Sequence, residues 1–438
     1  MVNVRDIGLA HQAAAGLDSA IDTAQANLLR IQYPDGYWWG ELESNATMAA
    51  EYVLLSYFLG KVDQDRWRKS SNYILSKQRE DGSWGQYYQA PGDVSTSVEA
   101  YFALKLAGYS ADSEPLRKAR EFILSRGGVP QARVFTKMWL ALFGQWDWEG
   151  TPNMPPELML LPSWAPLNIY EFSSWARPTV VPLLLVLTRK PTCSVPDWAH
   201  IDELYPQPRS ETDYSLPKPP AKLGWANLFY HWNRLVGLFH RLPVHPLRSL
   251  AERRAVRWVL DHQEADGSWG GIQPPWVYSL MGLHSLGYSS DHPVISKGLE
   301  GFEGFVVDEG DSMWIQACVS PLWDSCLTMI ALLDSGLPAD HSALVKAGQW
   351  FLNEQIMSVG DWQVKAKSVA PGGWAFEFDN DLYPDLDDTS EIVMALDKTR
   401  IPSEHNHREA IDRAVRWLLG MQSSNGGWAA FDKNNTKT

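Results

Sequence analysis

Three aspartates within four residues form the part of the sequence best suited to acid–base chemistry. Asp385, Asp387 and Asp388 come shortly before the apolar segment Glu391–Leu396, which is expected to be helical, so they lie where a helix begins. Helix capping and the helix dipole explain one or two acidic residues there. Three crowded carboxylates also raise each other's affinity for protons, so one of them can stay protonated at neutral pH. The residues alone leave both interpretations open.

The residues around the aspartates indicate which reaction a protonated carboxyl could start. Trp374, Phe376 and Phe378 supply an apolar, aromatic surface just ahead of them. Protonation of a carbon–carbon double bond would require a neutral carboxylic acid in an apolar pocket without water. A hydrogen-bond donor would also be needed to stabilise the carboxylate that remains. The pattern therefore favours an acid that starts a carbocation reaction.

A repeated motif predicts the helices that position this acidic segment. Gln, three residues, Gly, one residue and Trp recur, and in every full copy the Gly follows Asp or Asn. The four full copies are Gln32–Trp38, Gln78–Trp84, Gln263–Trp269 and Gln422–Trp428, and a slipped copy with one extra residue is assigned to Gln355, Gly360 and Trp362. Apolar helical patterns lead into several copies, so the Gln is expected at a helix end and the Gly in the turn that follows. We interpret the motif as a structural brace in which the Gln amide binds unpaired backbone groups of a neighbouring helix end.

A second apolar helix follows the motif, so the repeating unit is predicted to be a helical hairpin. Tandem helical hairpins form solenoids or α/α barrels. The predicted fold class is therefore all-α, with the QxxxGxW motifs bracing successive hairpins. A non-catalytic helical scaffold is compatible with the repeat taken alone.

Composition and charge exclude several classes of function. The chain has 438 residues and a net charge of −14, which argues against nucleic acid as a partner because nucleic-acid binding needs a basic surface. Its three cysteines, Cys193, Cys318 and Cys326, fit no metal site or disulfide framework and favour a reducing, cytoplasmic setting. We predict no cofactor, no signal peptide and no spanning helix, since the most apolar run, 180–187, is too short to cross a bilayer.

The segment 223–241 is predicted to form an amphipathic helix with aromatic residues on its apolar side. Its large apolar side chains are Trp225, Leu228, Phe229, Trp232, Leu235, Val236 and Phe239, and its basic polar residues are His231, Arg234, His240 and Arg241. Such a helix is suited to lie in a membrane interface. The same pattern fits a helix that packs on its own domain, and the pattern alone does not decide between them.

Taken together, these motifs resemble the squalene–hopene cyclase family over essentially the whole chain. The resemblance rests on QxxxGxW, on DxDD at Asp385–Asp388, and on further matching segments: 35–40, 168–177, 267–276, 320–324 and 422–428. It implies two α/α barrels. Residues 1–20 and 320–438 would form a catalytic barrel that carries DxDD and is incomplete here. Residues 21–319 would form a second barrel, whose membrane-contacting helix lies near 223–241. It also implies a protonation-initiated cyclase that converts squalene to hopene or hopanol.

The resemblance assigns roles to individual residues. It makes Asp387 the proton donor, with Asp385 and Asp388 holding and tuning it. Residues implied to stabilise cations or bind substrate are Trp175, Trp323, Phe376, Phe431 and Ile272, and Phe431 stands where some family members have Tyr. Residues implied to form the polar water network at the product side are Gln273, Tyr278, Glu51, Glu99 and Arg133. No metal is implied.

The resemblance also implies partners, a location and a limit. The partners are squalene or a similar linear triterpene and the membrane surface, with a homodimer possible, and the location is the cytoplasmic face of the cell membrane. Chains of the family continue beyond this one, through further repeats and a histidine that partners the catalytic aspartate. An inactive fragment of such a cyclase is therefore an alternative for these 438 residues.

Related families differ in the residues that they require. Oxidosqualene cyclases carry a single aspartate in a Cys-containing motif, whereas Asp387 and Asp388 have no neighbouring Cys. Class II diterpene cyclases share DxDD but need a basic cluster for a diphosphate, and none is found near Asp385. Protein prenyltransferase β-subunits need a Cys/His/Asp zinc site, which three scattered cysteines do not offer.

Overall fold

The computed structural model describes residues 4–219, 224–402 and 404–435, and this part of the chain is helical apart from four very short strands. The helices are α1 Val4–Ile31, α2 Ala46–Phe58, α3 Gln64–Ser76, α4 Val94–Leu106, α5 Glu114–Ser125, α6 Val134–Leu142, α7 Arg177–Arg189, α8 Trp225–His240, α9 Arg248–Asp261, α10 Gln273–Ser285, α11 Pro293–Phe302, α12 Pro321–Asp334, α13 Ser342–Glu354, α14 Leu386–Lys398 and α15 Glu404–Met421. The strands are β1 Trp84–Gly85, β2 Gly92–Asp93, β3 Val306–Asp308 and β4 Met313–Ile315, and they pair antiparallel as β1 with β2 and β3 with β4. The predicted all-α class and α/α toroid fold are confirmed.

The chain folds into two compact units. The first unit contains residues 1–41 and 319–438, and the second contains residues 42–318. The predicted boundary after residue 20 lies inside α1, which is a continuous helix from Val4 to Ile31. The helix instead ends at Ile31, just before the turn of the first repeat, and the chain enters the second unit after Glu41.

Helices of two kinds alternate within each unit. Outer helices are amphipathic and end at, or pack beside, the repeat turns; they are α1, α3, α5, α9, α11, α13 and α15. Inner helices carry the Ser and Thr side chains that meet the repeat Trp residues, or lie beside such helices; they are α2, α4, α10, α12 and α14. Inner helix α4 is buried along nearly its whole length, from Ser95 to Leu106, whereas outer helix α5 buries only one side. This distribution follows from the apolar residues, which surround α4 but form a single stripe on α5.

The repeat motif clamps consecutive outer helices together. In the copy at Gln78, the side-chain Nε2 donates to the carbonyl of Gly82 in its own turn at 2.9 Å and to that of Pro115 in α5 at 2.8 Å. The indole of Trp84 donates to the carbonyl of Ile74 at 2.6 Å and is fully buried. This clamp thus ties the turn that follows one outer helix to the first turn of another. The predicted role of the Gln amide in binding unpaired groups of a helix end does not hold for Pro115, because the carbonyls at the start of a helix accept bonds within that helix.

The slipped copy was assigned to the wrong glycine and tryptophan. Gln355 Nε2 donates to the carbonyl of Gly372 at 2.8 Å and to that of Ala410 at 2.9 Å, and the indole of Trp374 donates to Phe351 at 2.8 Å. The Gln-to-Gly separation is 17 residues here and 4 in the copy at Gln78. The repeat is therefore complete but contains an insertion, and the inserted loop leads directly into the acidic segment.

Substitution of the turn glycines distinguishes the loss of stability caused by overpacking from the loss caused by backbone strain. Gly36 and Gly426 both have positive φ, +112° and +88°, but a Cβ on Gly36 would lie 2.7 Å from the carbonyl oxygen of Lys346, whereas one on Gly426 would meet nothing within 4 Å. We expect Gly36→Ala to lower the free energy of unfolding by about 1–3 kcal/mol more than Gly426→Ala, because only the first adds overpacking to the strain. Urea unfolding of both variants measures the difference, and equal losses would contradict the clamp.

Candidate active site

The first turn of α14 positions the three aspartates. Asp385 is the residue that caps this helix, and its Oδ1 accepts hydrogen bonds from the backbone N–H groups of Asp387 at 2.6 Å and Asp388 at 3.3 Å. The backbone N–H of Asp385 donates to the carbonyl of Trp374 at 2.8 Å, which ties the helix start to the preceding repeat. Capping therefore explains Asp385, but it makes no use of the side chains of Asp387 and Asp388.

The three carboxyl groups differ in burial. Asp388 is 1% exposed and Asp385 is 7% exposed, whereas the side chain of Asp387 is exposed. Burial, followed by the nearby charges of Asp385, Glu377 and Asp387, raises the pKa of Asp388 to about 9. Burial also raises the pKa of Asp385 to about 6, although two backbone N–H groups oppose the rise.

At neutral pH, Asp388 therefore keeps its proton. The sequence predicted one protonated aspartate in this triplet, and the structure favours the buried Asp388, whose pKa is raised further than that of Asp385. Oδ1 of Asp388 is buried and has no hydrogen-bond partner in the described part of the chain. A protonated carboxyl suits this environment because a buried carboxylate without partners would be costly.

A fourth carboxyl group joins this cluster. Glu377 is 2% exposed, its Oε2 accepts a hydrogen bond from Asn380 Nδ2 at 2.9 Å, and its charge contributes to the raised pKa of Asp388. Glu377 was not predicted from the sequence, because its spacing from the aspartates matches no motif. The pairing of Trp374 with Asp385 reveals it, since that contact folds the intervening loop back towards the helix start.

Aromatic and apolar side chains surround the acidic cluster. Trp323 on α12 and Phe378 pack against the core of the first unit, which includes Trp374 and Cys326. Phe376 is partly buried in the same loop as Glu377. Phe431 is 9% exposed, and the carbonyl of its neighbour Ala430 accepts the backbone N–H of Leu386 at 2.8 Å, which places that loop beside the start of α14.

A second polar cluster lies within the second unit. Glu99 on α4 is 1% exposed and accepts a hydrogen bond from Thr136, and one of its carboxylate oxygens lies 4.0 Å from the guanidinium of Arg133. Burial raises the pKa of Glu99 to about 7, although Arg133 and Thr136 oppose the rise. Burial and the charge of Glu99 raise the pKa of Glu51 well above its usual range. Tyr278 is 3% exposed, and burial together with the charges of Glu51 and Glu99 raises its pKa as well.

Gln273 provides a buried acceptor at the first turn of α10. Its Nε2 donates to the carbonyl of Met48 on α2 at 3.3 Å, and its backbone N–H donates to Ala317 at 2.9 Å. Its Oε1 is buried and has no hydrogen-bond partner among the described residues. A buried polar atom of this kind is usually satisfied by an ordered water. The preceding residue, Ile272, pairs with Cys318 and is partly buried.

Comparison with known proteins identifies the family to which this chain belongs. A family profile described as "Squalene-hopene cyclase N-terminal domain" matches residues 21–311, and one described as "Squalene-hopene cyclase C-terminal domain" matches residues 319–438. The chain belongs to the squalene-hopene cyclase family. The predicted resemblance is confirmed by these matches.

Several characterised members of the family are similar to this chain along almost all of its length. It is 50% identical over 417 residues to the squalene–hopene cyclase of Alicyclobacillus acidocaldarius, covering 95% of this chain and 65% of that protein. It is 41% identical to the dammaradiene synthase of Dryopteris crassirhizoma, covering 96% of this chain and 61% of that protein. The squalene-hopene cyclase of Schizosaccharomyces japonicus is 37% identical, with 96% and 65% covered. The chain thus spans slightly under two thirds of the length of these relatives.

The site residues inferred from the resemblance to the squalene–hopene cyclase family divide between the two units. The first unit brings together the aspartates, Trp323, Phe376 and Phe431 near the start of α14. The second unit brings together Glu51, Glu99, Arg133, Tyr278 and Gln273, and it also contains Ile272 and Trp175. Trp175 is 39% exposed. The described residues contain no group of three or more His, Cys, Asp and Glu side chains arranged to hold a metal ion.

Helix α8 presents a large apolar surface. Leu228, Trp232, Leu235 and Leu238 are 46–60% exposed, whereas Val236 is 5% exposed. An apolar pocket of about 440 Å³ lies beside this helix, with Phe229 and Trp232 in its wall. Helix α8 thus packs through Val236 and exposes these four apolar side chains, and both interpretations of the sequence stay open. Residue 223, the predicted start of the segment, lies outside the described residues, and no helix in the described part of the chain is long and apolar enough to cross a membrane.

Proposed function

We propose that this chain carries the proton-donating site of a class II triterpene cyclase that converts squalene to hopene or hopanol. The observation that supports this most directly is the cluster of carboxyl groups at the start of α14, where burial keeps Asp388 protonated at neutral pH beside the exposed Asp387. Membership of the squalene-hopene cyclase family adds support. Phosphate or metal chemistry would need basic residues or a ligand set that this cluster does not offer.

In this proposal Asp387 is the general acid. Its proton passes to the less substituted carbon of a terminal double bond of squalene, the π electrons form the new C–H bond, and the adjacent carbon becomes a tertiary cation. Asp385 and Asp388 lie at the same helix start and would hold and tune Asp387, and the exposed side chain of Asp387 can be reprotonated from solvent. Exposure of Asp387 suits this role, because the acid must reach a substrate that arrives from outside the core.

Aromatic side chains then stabilise the successive cations. Trp323, Phe376 and Phe431 belong to the first unit, as the acid does, and the family resemblance assigns the same role to Trp175. Each aromatic face can stabilise a cation by about 0.5–2 kcal/mol without supplying a nucleophile that would end the reaction. This matters because each ring closure must be faster than capture of the cation by a base or by water.

The cluster in the second unit is suited to end the reaction. A water bound by the Oε1 of Gln273 could take the last proton, which gives hopene, or add to the last cation and lose a proton, which gives hopanol. Glu99 has a pKa of about 7 and can therefore accept a proton near neutral pH. Glu51 and Tyr278 complete a network through which that proton can leave the site.

Incubation of purified protein with squalene in detergent, followed by gas chromatography and mass spectrometry, tests the proposal. The 438-residue chain and a version joined to the remaining part of the Alicyclobacillus relative should be assayed side by side. Pentacyclic hopene or hopanol from either form is the expected result. Absence of product from both forms would contradict it.

We also propose that α8 rests on the cytoplasmic face of the membrane, from which squalene would enter. Leu235→Asp combined with Leu238→Asp is expected to weaken binding to phospholipid vesicles about tenfold or more, because each buried leucine contributes roughly 1.5–3 kcal/mol. Sedimentation with vesicles measures the change. Val62→Asp, at a 41% exposed apolar position elsewhere in the second unit, is the matched control and should bind as the wild type does. Equal binding by all three proteins would exclude α8 as the contact.

A further inference from the structure

Thr136 places a buried hydroxyl group against one of the carboxyl groups of the second unit. It lies in the first turn of α6, is fully buried, and donates to Oε1 of Glu99 on α4. A threonine in a helix commonly donates to a backbone carbonyl of its own helix instead. A hydroxyl group has a single proton to donate, so Thr136 uses it on Glu99 and not on α6.

Two contacts fix the register of α6 against α4. The backbone N–H of Arg133, the residue that precedes α6, donates to Oγ of Ser95 at 2.9 Å. Ser95 and Glu99 are four residues apart on α4, so they face the same side of that helix. Arg133 and Thr136 are three residues apart at the start of α6. The packing of the two helices therefore holds the hydroxyl group of Thr136 against Glu99.

The two oxygens of the Glu99 carboxyl have different surroundings. Oε1 accepts the hydrogen bond from Thr136 and lies 4.0 Å from the guanidinium of Arg133. Oε2 is buried and has no hydrogen-bond partner in the described part of the chain. The groups that stabilise a carboxylate thus act on Oε1, and Oε2 is left as the atom to which a proton can bind.

The surrounding charges act on Glu99 in both directions. Charged or titratable groups that face it are Glu51 on α2, Asp93 before α4, Arg133 before α6 and Tyr278 on α10. Burial raises the pKa of Glu99 to about 7, and Arg133 and the hydroxyl group of Thr136 limit this rise. The charge of Glu99 in turn raises the pKa of Glu51. The negative charge of this carboxyl pair is therefore favoured on Glu99.

We propose that Thr136 is a positioning residue that makes Glu99, rather than Glu51, the group that accepts the proton released at the end of the cyclisation. This inference rests on the proposed function. When hopene forms, a C–H bond beside the last cation breaks and its electrons form the new double bond. The proton moves through water to Oε2 of Glu99, which becomes neutral while Thr136 keeps Oε1 in place.

Infrared titration of the full chain without substrate tests the contact between Thr136 and Glu99. In the wild type, the absorption of the protonated carboxyl should disappear near pH 7, and Glu99→Gln should lack this transition. Thr136→Val keeps the shape of the side chain but removes the donor, so the transition should move up by about one to two pH units. Thr136→Ser should restore the wild-type value. Thr136→Cys, which has a weak donor, should move it by less and serves if Thr136→Val does not fold.

Product formation as a function of pH tests the role of this contact in the reaction. In whichever form of the protein yields product, Thr136→Val should lower the rate at pH 7 by about five- to fiftyfold, because the ionised fraction of Glu99 falls by that factor. The rate should approach that of the wild type at higher pH. Thr151→Val is the matched control, since Thr151 is 1% exposed in the same unit and its hydroxyl group donates to the carbonyl of Trp148 at 2.7 Å. It should leave both curves unchanged.

The outcomes of the two measurements separate this inference from the proposed function. Titration at the same pH in the wild type and in Thr136→Val would overturn the inference. So would a shift that Thr136→Ser does not reverse, because the shape of the side chain would then be its cause, or a shifted titration with an unchanged pH profile of product formation. If no form of the protein made product, the proposed function would fail, whereas a shifted titration would still show that Thr136 holds the charge on Glu99.

Discussion

Asp387→Asn is expected to remove squalene cyclisation almost completely, in whichever form of the protein yields product. Removal of a general acid typically lowers a rate by about 10²–10⁴-fold, and an unactivated double bond offers water no easy alternative route. The substitution should leave the fold intact, because the cap contact uses the backbone N–H of Asp387 and its side chain is exposed. Product formed per hour, measured by gas chromatography, is the readout.

The matched control for this variant is Asp397→Asn. Asp397 is exposed near the other end of α14, so its substitution removes the same charge from the same helix without touching the acidic cluster. Product formation by Asp397→Asn should equal that of the wild type. Substantial turnover by Asp387→Asn, with unchanged circular dichroism, would show that another group delivers the proton, and the protonated Asp388 would then be the first candidate.

The repeat made most of the fold predictable. Four copies keep the same number of residues between Gln, Gly and Trp. This spacing is constant because the Gln at the end of a helix must reach the carbonyl of the Gly in the turn that follows. The copy at Gln355 broke the pattern because an insertion separates it from Gly372, and Gly360 with Trp362 imitated the motif inside that insertion. Only the contacts of the folded chain distinguish the true partner, since both glycine–tryptophan pairs satisfy the local pattern.

The sequence was sufficient to predict which aspartates form the acidic site, but not which of them is buried and keeps its proton. Spacing placed Asp385, Asp387 and Asp388 at a helix start, and the structure has them there. Sequence cannot tell which of three neighbouring carboxyls faces the core, because the answer depends on how α14 packs against α12 and α15. It also could not reveal Glu377, whose position depends on the pairing of Trp374 with Asp385 at the two ends of the loop that carries it. Burial, rather than crowding, is the largest cause of the raised pKa of Asp388.

The buried proton of Asp388 has a cost for stability that depends on pH. Its pKa is about 9 in the folded chain, against about 3.9 for an unfolded aspartate. Between these values the folded chain keeps the proton and the unfolded chain releases it, so rising pH favours unfolding. This destabilising contribution of Asp388 to the free energy of unfolding is absent below about pH 4 and grows by about 1.4 kcal/mol per pH unit until about pH 9. The charges of Asp385, Glu377 and Asp387 all raise the pKa of Asp388.

Asp388→Asn should therefore stabilise the first unit increasingly as pH rises. Asparagine keeps the size of the protonated aspartate but does not titrate, so the gain in unfolding free energy over the wild type should increase by up to about 4 kcal/mol between pH 5 and pH 8. Urea unfolding followed by circular dichroism at several pH values measures this gain. Asp397→Asn on the exposed end of the same helix should show no such growth. If the wild-type and Asp388→Asn stability curves ran parallel across this range, Asp388 would not hold the proton in the folded chain.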